Sequence, residues 1–400
     1  MDKNQEKKQI NIPGAAGTDD LSVARWKRRQ HKIQLMLAAI IVLTILLVWL
    51  IASNTVALVS AGSFMETLRI NYKPGPGFPQ QTGIGELLQW QDMGGGFVLL
   101  GQENCSFYTK KGERLRHIQA GYARPAISAG DSRFVLYNRG GTELRVEGRM
   151  KTLYTQNYPN GILLCEMGQS GSLAVVTEDP SFTAQLMVYS NEMEAPLTWK
   201  MTSAEGVPMR MAFSSNERKL AVATLSAKDG KTLSQVYVLD RSKEKQFLVG
   251  SRESSVPLEM HWVGDALMVV YNTGVEIYHQ RNGVMARYDL NGQTLVDCSY
   301  PNGSRLALLV ENGSSAEVIL LNKRLEETGR FQTQGGSGIN LTRNSVYVYT
   351  DTAVLHYSLK GELNWQLDCK YRPQRLFQSN GKMLMFQGGE IQVCAKPKAK

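Results

Sequence analysis

Residues 208–222 read PMRMAFSSNERKLAV. Pro208 to Phe213 is a mostly apolar stretch of strand length, Ser214 to Lys219 is a polar turn, and Leu220-Ala221-Val222 is apolar again. A strand, a polar turn and a second strand make a β-hairpin. The same grammar recurs along the chain. It is seen at Gly94-Gly95-Gly96-Phe97-Val98-Leu99, at Gly264-Asp265-Ala266-Leu267-Met268-Val269 and at Asn302-Gly303-Ser304-Arg305-Leu306-Ala307-Leu308. The first apolar residues after the turns are Phe97, Phe134, Leu173, Leu220, Leu267, Leu306, Val346 and Met383, and the gaps between them run from 37 to 47. Within each interval there is room for a third strand, as in Val236-Tyr237-Val238-Leu239, and a fourth, as in Leu363-Asn364-Trp365-Gln366-Leu367. A repeat near forty residues with four strands per unit is the mark of a β-propeller blade.

Eight turn signals give an all-β, eight-bladed propeller over residues 84–395, with seven blades as the alternative count. Six Asn-Gly pairs begin at Asn160, Asn282, Asn291, Asn302, Asn312 and Asn380. Asn and Gly tolerate the positive φ of a type I′ turn, so each pair is a hairpin candidate. The last unit ends at Ile391-Gln392-Val393-Cys394 without a fourth strand. An open edge pairs with strangers, so a ring must cover it. The unpartnered stretch 67–72, TLRINY, is expected to complete the last blade, and residues 84–90 to form the first inner strand.

The chain outside the repeats has a different character. The net charge is +9, but residues 1–32 carry +4 and the last five residues +3, which leaves the body near balance. A nucleic-acid binder would concentrate basic charge on its folded body, so that class is not expected. Residues 33–59 form an apolar run with no charged side chain, long enough for the about 20 residues that cross a bilayer. Arg25, Lys27, Arg28, Arg29 and Lys32 precede it, and the first charge after it is Glu66. The positive-inside rule then places the N-terminus in the cytoplasm and the repeats outside it. The basic flank and the length of the run favour an uncleaved signal anchor over a cleaved leader ending at Ala61. The domain plan is a basic, polar tail (1–32), a transmembrane helix (33–59), a linker (60–83), the propeller, and a basic C-terminal tail (396–400).

One resemblance adds to this reading. The segment Tyr122-Ala123-Arg124-Pro125-Ala126-Ile127-Ser128, then Arg133 to Gly141 (RFVLYNRGG), then Trp199 on an outer strand, is similar to an uncharacterised bacterial family. Its members are single-pass, membrane-anchored, propeller-like proteins known only as a domain of unknown function. The resemblance implies fold and placement and brings no catalytic residue.

Chemistry is harder to find. His31, His117, His261, His279 and His356 show no metal-ligand spacing, and the five Cys are scattered without a CxxC. No nucleophile elbow or P-loop is present. No cofactor, metal or catalytic residue is expected. Polar residues on inner strands would face a central channel. Arg210, Glu259, Asp297, Arg375 and Glu166 are the charged candidates for lining it and binding a ligand, although solvation by channel water is the plainer reading. The expected function is a non-enzymatic binding or scaffolding module with a protein partner in the cell envelope. The alternative is a quinone-dependent or carbohydrate-active propeller, or a small-molecule binder, that uses the channel.

Overall fold

The computed structural model describes residues 32–45 and 75–397, apart from Ala195, Asn282 and Ser314 and the side chain of Asn302. The chain falls into two compact units, Met1–Glu66 and Thr67–Lys400. In the first, residues 32–45 form an α-helix whose apolar side chains, Ile33 to Ile45, are exposed. Among the described residues no helix is long and apolar enough to cross a membrane. The rest of the expected span 33–59 lies outside the described residues, as do Arg25, Lys27, Arg28 and Arg29.

The second unit is built from eight four-stranded antiparallel sheets. Seven are consecutive meanders, at residues 89–119, 125–157, 162–201, 207–253, 257–289, 294–333 and 338–368. The eighth holds residues 373–393 and borrows its outer strand from the start of the unit: Gln80–Gln81 pairs with Glu390–Val393. This settles the blade count at eight. Numbered in chain order, blades 1 to 8 each place one of the eight sequence anchors on the second strand, and Phe97, Phe134, Leu173, Leu220, Leu267, Leu306, Val346 and Met383 are all buried.

Each sheet has two apolar faces, and neighbouring blades cover them. Eight apolar clusters result, one at each junction. The ring-closing cluster joins Phe97, Leu99 and Tyr108 of blade 1 to Phe377, Phe386 and Ile391 of blade 8. A blade buries nothing alone, so stacking supplies the core.

Two expectations are corrected. The strand beside Glu390–Val393 is Gln80–Gln81, and residues 67–72, expected in that place, lie outside the described residues. The pairing continues past the ladder, where Thr82 N–H and Oγ1 both donate to Gly389 O, at 2.9 and 2.7 Å. The first inner strand is Gln89–Met93, later than expected. The Asn-Gly pairs also divide. Those at 302, 312 and 380 lie in hairpins, whereas those at 160 and 291 join blades, and Asn282 lies outside the described residues. Asn380 and Gly381 both have positive φ, 49° and 70°, as a type I′ turn requires.

Candidate functional site

The first strand of every blade lines the central channel, and its axial edge has no strand neighbour. Backbone groups there need other partners. They find them in side chains from the preceding blade. Gln89 Oε1 accepts from Ile127 N–H at 2.8 Å, and Ser128 Oγ accepts from Met167 N–H at 2.9 Å. Arg210 Nε donates to Leu258 O at 2.6 Å, and Asp297 Oδ2 accepts from Ile339 N–H at 2.9 Å. Asn340 Nδ2 donates to Leu376 O at 3.2 Å. Gln374 Oε1 accepts from Leu87 N–H at 2.7 Å and so latches blade 8 to the segment entering blade 1. The repeat of the fold thus repeats a side-chain latch.

Two of the five charged candidates, Glu259 and Arg375, line a cavity of about 600 Å³ at the channel, together with Trp90, Tyr300, Asn340 and Ser379. Asp297 stands behind them, with Arg375 Nη1 3.7 Å from its Oδ2. Burial tends to lower the Arg375 guanidinium, but Asp297, Tyr349 and Glu259 outweigh it and hold its pKa above the ordinary value. Burial tends to raise Glu259, yet the His261 ring at 3.0 Å, the Cys298 thiol and Arg375 hold its carboxyl below the usual range. Asp297 is the reverse case: burial raises it, and Arg375 and the Ile339 N–H only partly offset that.

The other two candidates lie apart. Glu166 lines a second cavity of about 380 Å³, with His261 and Tyr300 also in its wall. Ser128 Oγ donates to its Oε2 at 3.1 Å. Arg210 is spent on Leu258 O and on Met209 O at 2.8 Å. Burial, with Arg139 nearby, lowers its pKa. Among the described residues no group of three or more His, Cys, Asp or Glu is placed to hold a metal ion. The arrangement is a polar chamber that can donate and accept hydrogen bonds.

Sequence reading missed Tyr300 and Ser379. The signal was positional, because both stand at the end of an inner strand or just past it, next to the turn that opens the channel mouth.

Glu166 gives a pH prediction. Desolvation pushes its carboxyl from 4.5 up to about 8, and the Ser128 hydroxyl does not reverse this. A raised folded-state pKa means that the folded ring binds the proton more tightly than the unfolded chain. Its contribution is therefore fully present below about 4.5 and is lost as pH rises through about 8. Urea midpoints measured across that window should fall less with pH in Glu166→Gln than in the parent. Parallel curves would show that this carboxyl ionises normally.

Eight four-stranded blades closed by an N-terminal strand round a polar channel define an eight-bladed β-propeller. The chain belongs to the family of unknown function DUF5711, whose profile matches residues 80–394. That match starts at the closing strand and ends just past its partner. Among curated proteins none matches the sequence. Solved structures that share the fold include the following two. BamB from Moraxella catarrhalis is 14% identical with a TM-score of 0.54, over 79% of this chain and 95% of that one. Hsv2 from Kluyveromyces marxianus is 9% identical with a TM-score of 0.50, over 71% of this chain and 99% of that one.

Proposed function

We propose that this chain is a membrane-anchored, extracytoplasmic propeller that acts as a non-enzymatic binding or scaffolding module of the cell envelope. The observation that carries the non-enzymatic reading is how inner-strand polar groups are used. Gln89, Ser128, Arg210, Asp297, Asn340 and Gln374 hold neighbouring blades together. Catalytic groups in a propeller would come from this same set, and here most of it serves the ring. What remains broad and varied is the two loop faces.

Placement is supported by the charge-free run and the basic residues before it. The exposed apolar side chains of the helix at 32–45, with Leu43 at 73% exposure, fit a lipid environment better than water. Held this way, the propeller presents its loops outside the bilayer to a protein partner in the envelope. No nucleic acid is involved in this reading.

The test is crosslinking in intact membranes, followed by recovery of the tagged chain. The full chain is expected to bring down a defined partner, and a version ending at Glu66 is expected to lose it. Equal recovery by the truncated version would assign recruitment to the tail or the anchor, against the propeller.

A further inference from the structure

We propose that the turn face of blades 6 to 8 is a docking surface for anionic phospholipid headgroups, with the bilayer surface as its partner. The inference deepens the membrane-anchored reading and rests on it. It gives one loop face to lipid and leaves the other to the protein partner.

Strands alternate in direction within an antiparallel blade. The turns between first and second strands and those between third and fourth strands therefore share one face. In blades 6 to 8 those turns, and the residues that leave them, hold Arg305, Lys323, Arg324, Arg343, Lys360 and Lys382. None of the six side chains forms an ion pair, a hydrogen bond or a ring contact among the described residues. The acids of the same turns, Glu326 and Glu362, are engaged by neutral donors instead. Asn322 Nδ2 donates to Glu326 at 2.7 Å, and Ser358 Oγ donates to Glu362 at 3.3 Å. The opposite face of these blades differs. Its turns within the blades, 312–315, 350–352 and 388–389, contain no cation. Arg372, in a loop between blades on that side, is paired with Asp351 at 3.0 Å.

Uncompensated cations gathered on one face repel one another, and an anionic partner relieves that repulsion. Arg305 of blade 6 and Arg343 of blade 7 line one cavity of about 320 Å³, together with Ser304 and Thr342. Arginines brought together from two blades suit the phosphodiester of a lipid head, because each guanidinium offers paired N–H donors to phosphate oxygens.

The path of the chain favours lipid over an acidic protein. Gln80–Gln81 takes the fourth place in blade 8, so the chain enters that strand from this same face. There Gly77 N–H donates at 2.9 Å to the carbonyl of Lys111, in the last turn of blade 1. The third strand of blade 8 also ends on this face, at Val393, and the sequence after it adds Lys396, Lys398 and Lys400. The segment that carries the apolar run 33–59 therefore leads into the propeller at its basic face. Each Lys or Arg held near an anionic bilayer surface contributes about 1 kcal/mol of attraction.

The test uses the full chain in nanodiscs of phosphatidylcholine alone or with about a third of the lipid replaced by phosphatidylglycerol. Lysine acetylation by an N-hydroxysuccinimide ester is read residue by residue by mass spectrometry. Lys323, Lys360 and Lys382 are expected to react several-fold more slowly in the anionic discs. Lys228 and Lys370, on the opposite face, are expected to react equally in both. About 1 M salt, where the Debye length is about 3 Å, should remove the difference. Arg305→Gln combined with Arg343→Gln should shift the docking equilibrium by roughly 5-fold for each cation removed, and so restore reactivity at Lys360 and Lys382. The melting temperature should not change, since neither arginine has a side-chain partner to lose. Entry into neutral discs reads the anchor separately: a chain that binds only anionic discs would refute the anchor and keep the docking. Equal reactivity of Lys323, Lys360 and Lys382 in the two discs, or protection that the double variant retains, overturns the proposal and assigns the basic face to an acidic protein.

Discussion

A propeller truncated to residues 83–397 is expected to melt about 5–10 °C below one that begins at residue 75. The deleted residues carry the outer strand of blade 8. Their loss removes the pairing of Gln80 and Gln81 with Ile391 and Glu390. It also removes both Thr82 bonds to Gly389 O and the bond from Ile84 N–H to Thr82 Oγ1 at 3.0 Å. At about 1 kcal/mol for each hydrogen bond lost, the cost is roughly 4–5 kcal/mol before any packing is counted. Phe78, packed against the cluster that joins blades 8 and 1, is removed as well. The new end is an uncovered strand edge, so aggregation should rise along with the loss of stability. Equal melting of the two forms would mean that the ring does not depend on this closure.

The second large effect is expected at Glu276, on the third strand of blade 5. Its side chain is fully buried between Arg252 of blade 4, at 2.8 Å, and Arg287 of its own blade, at 2.6 Å. The Tyr278 hydroxyl donates to the same carboxylate and accepts from the Tyr271 hydroxyl at 2.7 Å. Removing a buried carboxylate strands its partners. Arg287 is half exposed and turns to water, but Arg252 is 11% exposed and keeps only Asp289 as an acidic partner. Glu276→Ala is therefore expected to cost about 3 kcal/mol or more in urea unfolding. The control is Glu317→Ala. Its partner, Arg330, is 38% exposed and keeps Glu327, so that loss should stay within about 1 kcal/mol. Similar losses at both sites would contradict the assignment of Glu276 as the tie between blades 4 and 5.

The sequence carried the blades more clearly than the closure. Each of the eight anchors, from Phe97 to Met383, follows a turn and starts an apolar strand, and burial between sheets demands that pattern. The closing strand left no such trace. Gln80–Gln81 is two residues long and polar, on an outer edge where nothing selects for apolar side chains. The orphan stretch 67–72 looked more like a strand for that reason.

The candidate site was legible in half. Glu259 and Arg375 were recognisable as charged residues on inner strands, and they do share a cavity. That Asp297 and Arg210 act as latches was hidden, because they reach backbone 42 and 48 residues away in the next blade. Pattern within one unit does not reveal a contact between units. Ser379 and Tyr300 were hidden for another reason: only their place in the cavity wall distinguishes them from other turn-flanking residues.

The account rests most on where the propeller stands relative to the membrane. Protease added to cells after wall removal, with one tag at each terminus, measures this directly. The account predicts that the C-terminal tag and the propeller are attacked while the N-terminal tag stays protected on a short membrane-bound fragment. A protected C-terminal tag with an exposed N-terminus would contradict it.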